Sequence, residues 1–195
     1  MERSAVYRRA LAPIMLLTGC IGLVAAAVGW SLKLDTPRSF ALFWLGISVV
    51  AIGGAYFFAR RQALKDAEPF WSPPTRRVTQ ALLPPFLTGL VLGLIAALPS
   101  WREPLQVWWL PPSWMALYGC ALHAAGFFMP RGIKLLGWLF VIAACGLFLL
   151  VNQRSYASGF PSLQWANGLM GLGFGGFHLA CGLYLHFTEK GKNAT

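Results

Sequence analysis

The chain has 195 residues, 57% of them hydrophobic and 11% charged, and a net charge of +10. A soluble domain carries about 25% charged residues, so there is too little polar surface here to clothe a water-soluble globule, and lipid is the alternative solvent. The basic residues lie between apolar runs rather than along one face, which argues against a nucleic-acid partner and for an anionic membrane surface.

The length accommodates a single domain, 1–195. Arg8 and Arg9 precede an apolar stretch ending at Ala25-Ala26-Ala27, a pattern shared with signal peptides. It is read here as the first spanning helix. In chain order, the apolar runs are 11–32, 40–59, 78–98, 113–129, 133–151 and 163–187. Pro13 stands near the entry of the first run, and Pro84 and Pro85 near that of the third. A helix needs about 20 apolar residues to cross the hydrocarbon, so the fourth run is short and the sixth long enough to tilt. No run contains Asp or Glu, and Lys134, at the edge of the fifth, is the one basic residue. Open sheet edges are not viable in lipid, and the period-two alternation of a membrane barrel is missing. The expected fold is therefore all-α, a polytopic membrane helix bundle of about six transmembrane helices.

With six spans, Arg3, Arg8, Arg9, Arg60, Arg61, Lys65, Arg76, Arg77, Arg131, Lys134, Lys190 and Lys192 fall on one side. Lys33, Arg38, Arg102 and Arg154 fall on the other. The positive-inside rule then puts both N and C termini in the cytoplasm of a plasma (inner) membrane protein. Met129-Pro130-Arg131-Gly132 reads as a tight turn joining an antiparallel hairpin. The stretch 60–79 reads as the longest cytoplasmic loop and 99–112 as the longest outer one. The outer loop carries Trp101, Trp108 and Trp109, residues suited to the headgroup level.

Close helix approach in lipid depends on small residues. The sixth run holds Gly171 and Gly175 at GxxxG spacing, and the first holds Gly22/Ala26 and Ala25/Gly29. These place helices one and six at the centre of the bundle, with a homo-oligomer through helix six as an alternative.

Chemistry inside the spans has few carriers. The four cysteines form no CxxC and read as small apolar residues. His123, eight residues before Arg131, and His178, eleven before Glu189, lie about 12 and 16 Å from the same end by helical rise. At similar depths the two imidazoles have a route to facing each other, to bind haem or a metal or to relay a proton. Tyr118 is a further candidate beside them. The plainer reading is interhelical hydrogen bonding, with no cofactor. His186 reads as solvated. An intramembrane serine protease of the rhomboid type would need a Gly-x-Ser-Gly nucleophile, and the nearest stretch, Gly46-Ile47-Ser48-Val49, lacks the second glycine. A span without carboxylates argues against metal-dependent hydrolysis and carboxylate-coupled pumping.

The stretch Glu68-Pro69-Phe70-Trp71-Ser72-Pro73-Pro74-Thr75-Arg76-Arg77 is the most distinctive. Its prolines predict an extended chain. Phe70, Trp71, Arg76 and Arg77 read as a docking surface for lipid phosphates or a protein partner. In gross layout the chain is similar to the substrate-binding membrane components of energy-coupling-factor transporters. Those components couple through an Ala-xxx-Ala pattern, for which the nearest equivalents here are Gly22/Ala26 and Ala25/Gly29. The leading functional expectation is a non-enzymatic transport, sensor or anchoring subunit, embedded in the bilayer and acting with a cytoplasmic or membrane protein partner. A haem- or metal-binding redox protein and an oligomeric channel are the alternatives.

Overall fold

The computed structural model describes residues 5–98, 107–156 and 162–192. The stretch 99–106, with Trp101 and Arg102 of the expected outer loop, lies outside them. The described residues form six helical rods: α1 (Ala5–Ser31), α2 (Pro37–Lys65), α3 (Pro73–Ala96), α4 (Leu110–Ala125), α5 (Arg131–Tyr156), and a last rod of three joined pieces. Those pieces are α6 (Leu163–Met170), a π-helical turn (Gly171–Gly176) and α7 (Phe177–Lys192). Five of the rods are long and apolar enough to cross a membrane, so the architecture is that of a multi-pass helical membrane bundle.

The local chemistry accounts for the rod ends. Thr36 caps α2, its Oγ1 accepting from Ser39 N at 3.2 Å, and Pro37 follows at the first helical position, where its missing N–H costs nothing. Both α1 and α2 stop in the same way. Lys33 and Ala67 adopt left-handed backbone, with φ of 50° and 51°. The next N–H then reaches back five residues, Leu34 to Gly29 O at 3.1 Å and Glu68 to Ala63 O at 3.0 Å. This is the Schellman arrangement, here without glycine at the left-handed position.

Three sequence expectations need correction. The first concerns 60–79. α2 runs on to Lys65 and α3 starts at Pro73, so the connection is only 66–72. Arg76 and Arg77 are helical rather than extended, because Pro73 and Pro74 occupy the first helical positions, where proline favours a helix instead of breaking one. The second concerns Pro84 and Pro85, which lie inside α3 and not at its entry. In lipid the two missing donors are tolerated when neighbours satisfy the freed groups.

The third concerns the fourth run. Its helix covers Leu110–Ala125, not 113–129, and the turn before α5 occupies 126–130. At 16 residues it is about 24 Å long, short of the ~30 Å hydrocarbon. It is nevertheless an interior helix, with Leu110, Pro111, Pro112, Met115, Gly119, Ala121, Leu122 and Ala125 all buried. The centre of the bundle is thus shared by α4 and not held by the first and last rods alone.

The rods form two groups. α1 packs against α2 and the whole last rod, while α4 packs against α3 and α5. Two buried apolar clusters join them. One, nearer the basic end, includes Leu11, Met15, Val78, Met115, Leu122, Ile133 and Phe140. The other includes Phe40, Trp44, Ala96, Trp108, Leu163 and Met170. In the most apolar stretch of α2 and of α3 only 17% of residues are buried, against 39% in the last rod, so α2 and α3 are the rods most open to lipid.

Candidate functional site

Buried polar side chains mark where an apolar bundle does something other than pack. Among the described residues they are Thr75, Asn167 and His178. His178 stands just past the π turn and is 1% exposed. Its Nδ1 lies 2.5 Å from Phe174 O, and its Nε2 lies 2.6 Å from the Tyr118 hydroxyl across the two helix groups. A carbonyl only accepts, so Nδ1 must carry the proton and donate. In the neutral ring Nε2 is then the acceptor, and the Tyr118 O–H donates to it. Both nitrogens are engaged, and no lone pair is left for a metal.

The ring cage explains the burial. Tyr118 stacks on Phe86 at 5.9 Å with an interplanar angle of 12°. It meets Phe140 edge-on at 5.0 Å and Phe174 at 5.4 Å. Phe140 in turn contacts Phe177 and His178 at 5.2 and 5.5 Å. Contributions from α3, α4, α5 and the last rod therefore converge on one imidazole. The π turn supplies Phe174, and π segments are often found at functional sites.

The structure does not bring His123 to His178. Tyr118 and His123 are five positions apart on α4, about 140° around the helix. His123 turns instead to Phe127 and Trp138, with ring centroids 5.6 and 5.4 Å away. Its Nδ1 is buried without a hydrogen-bond partner. No group of three or more His, Cys, Asp or Glu side chains placed to hold a metal occurs among the described residues.

Asn167 forms the second polar node. Its Oδ1 accepts from Trp44 Nε1 at 2.9 Å, and its Nδ2 donates to Leu34 O and Leu163 O, each at 3.4 Å. It thus ties the last rod to α2 and to the α1–α2 connection. Gly29 makes the space, since a Cβ there would sit 2.6 Å from Asn167 Oδ1. In the sequence Asn167 reads as a polar group near the start of the sixth apolar run that satisfies a neighbouring helix, and its partner is Trp44 of α2.

The small residues sit on one antiparallel crossing. A Cβ on Gly22 would lie 2.8 Å from Gly175 Cα, and one on Gly175 would lie 2.8 Å from Leu23 N. Gly171 lies against Ala26, Gly19 against Leu179 and Gly182 against Leu16. The glycine face of the last rod is thereby taken up by α1 of the same chain. A second close crossing lies in the antiparallel hairpin expected from the turn near Pro130, although its glycine contacts were not foreseen. On α4 and α5, a Cβ on Gly119 would sit 2.7 Å from Gly137 O, and one on Gly137 would sit 2.7 Å from His123 N.

At the basic end, Phe70 packs edge-on against Tyr56 of α2, with centroids 5.3 Å apart. Trp71 is 59% exposed. Pro73, Arg76, Arg77 and Gln80 line an open groove of about 250 Å³ along α3. The Arg77 guanidinium also lies 5.8 Å from the centroid of the Phe128 ring. Phe70, Trp71, Arg76 and Arg77 therefore share one end but not one pocket: Phe70 faces α2, while the two arginines line the groove. No family model, no curated protein and no solved structure matches this chain.

Proposed function

We propose that this chain is a non-enzymatic membrane subunit, a transport, sensor or anchoring component that acts through a partner docked at its basic end. One observation carries the reading. The three polar residues buried as a whole among the described residues are each bonded within the chain: Thr75 to Ser72, Asn167 to Trp44, and His178 to Tyr118. None of the three is held ready for a substrate. At the basic end Arg76, Arg77 and Gln80 line an open groove, and Trp71 of the same end is exposed. Arginine and tryptophan together are the side chains most suited to a protein contact. The asymmetry of twelve basic residues against four supports placing that end, with both termini, in the cytoplasm.

Photo-crosslinkers at Trp71 and Arg77 test the reading in intact membranes. The expected result is one discrete protein adduct that also co-purifies at fixed stoichiometry, and whose formation from the Trp71 crosslinker is lost in an Arg76→Gln/Arg77→Gln variant. A crosslinker at the lipid-facing Leu139 gives lipid adducts only. A purified preparation with a Soret band that disappears in His178→Ala would overturn the reading in favour of a haem protein. Solute flux through liposomes containing this chain alone would overturn it in favour of a channel.

A further inference from the structure

Lys134 is the one basic residue inside the six apolar runs. It stands at the start of the stretch Gly132–Gln153, which is apolar enough to cross a membrane. A charge there needs a partner or a route to the interface. Its Nζ meets the face of Phe127, 3.4 Å from the ring centroid, and no carboxylate among the described residues pairs with it. Its stem is held on the hairpin by Gly126, where a Cβ would sit 2.5 Å from Lys134 Cγ.

The contacts continue inward from the cation. Phe127 touches His123, and His123 touches Trp138. The orphan Nδ1 of His123 lies within this chain of contacts. The orphan Nδ1 is enclosed by the protein, which leaves Nε2 as the ring nitrogen that a group from outside the chain can meet, on the same chain of contacts as a cation with no carboxylate partner among the described residues. Phe127 and Trp138 are 54% and 53% exposed, which puts the cluster on the lipid side of the hairpin. Because Gly137 abuts the His123 backbone, the imidazole lies level with residue 137 of α5. By helical rise, Lys134 is then about 4.5 Å and His123 about 9 Å from Arg131. Beyond them the exposed Trp138, Ile142 and Leu149 continue the same stripe, within an arc of about 80°.

We propose that this face of the α4–α5 hairpin binds one anionic glycerophospholipid. The phosphate sits at Lys134, an ester oxygen accepts from the His123 ring, and an acyl chain follows Trp138, Ile142 and Leu149. The order of groups along the stripe, cation then imidazole then apolar surface, matches the order of groups along such a lipid.

Native mass spectrometry of the protein in mild detergent tests the proposal, with phosphatidylglycerol and phosphatidylcholine of matched chains offered in competition. A juxtamembrane lysine attracts anionic lipid by about 1 kcal/mol, so the expected preference for phosphatidylglycerol is about fivefold. Lys134→Gln abolishes that preference and Lys134→Arg keeps it. His123→Leu weakens retention of both lipids by removing the second contact. Millimolar glycerol phosphate leaves the adduct in place, because the acyl stripe contributes to binding. Equal retention of the two lipids by the unaltered protein would overturn the proposal. So would a preference that survives Lys134→Gln but falls in Arg76→Gln/Arg77→Gln. Displacement by glycerol phosphate would show that the site takes a free anion and not a lipid.

Discussion

Among the described residues, the Tyr118–His178 bond is the one side-chain hydrogen bond between the two helix groups at the aromatic cage. Tyr118→Phe keeps the ring stack and removes only the donor, so it isolates the bond from the packing. Interhelical hydrogen bonds in membranes average about 0.6 kcal/mol and reach about 1.7. A double-mutant cycle of Tyr118→Phe and His178→Phe, read by reversible unfolding in mixed micelles, is expected to give a coupling of about 1 kcal/mol. A coupling of zero would mean that the bond is not formed in solution. Asn167 is the more costly residue to lose. Asn167→Leu strands Trp44 Nε1 and overfills the space beside Gly29, and is expected to destabilise by about 1–3 kcal/mol in the same assay. Gln80→Leu, at an exposed position, is expected to stay within about 0.5 kcal/mol.

Single elements make sharper statements, because the same residue type sits in opposite environments. Gly22 and Gly175 face backbone at 2.8 Å, whereas Gly46 and Gly53 of α2 have nothing within 4 Å. Leucine at Gly22 or Gly175 forces α1 away from the π turn, and overpacking of this kind costs about 1–3 kcal/mol or more. Alanine at Gly46 or Gly53 meets open space and gains helix propensity, so it is expected to be neutral or to stabilise by up to ~1 kcal/mol. Thermal unfolding of the four variants side by side checks both signs together. Ala67→Gly tests the end of α2. The left-handed backbone that strains alanine costs glycine nothing, and the melting temperature is expected to rise. Gly22/Ala26 and Gly171/Gly175 stand out in the sequence by their four-residue spacing, but that spacing does not say that the two pairs face each other. The α4–α5 hairpin was legible from its tight turn, but its close glycine contacts were not, because Gly119 and Gly137 come together only through the hairpin. The π turn was not legible either, since a run such as GLGFGG is compatible with several helical windings.

On the scale of the whole molecule, two groups of rods meet across an aromatic seam, and the basic residues gather at one end. Orientation is checked with single cysteines in a variant whose own four cysteines are alanine. Thr36→Cys, between α1 and α2, is expected to react with a membrane-impermeant maleimide in intact cells. Ser72→Cys, before α3, is expected to react only after the cells are opened. The reverse pattern would invert the topology and with it the side on which a partner docks.

The all-helical, membrane-embedded character follows from composition and apolar patterning, because lipid admits only helices and closed barrels and the unbroken runs lack a barrel's period-two alternation. The rod ends were less legible, since proline both starts and interrupts helices and only its position within a turn decides which. Tertiary structure alone decided the rest. His178 pairs with Tyr118 and not with His123, because side chains five positions apart on α4 point in different directions. The shortest rod, α4, lies inside, because burial depends on neighbours and not on length. Linear spacing encodes depth along a rod, but the facing of one rod toward another is set by the packing of all of them at once.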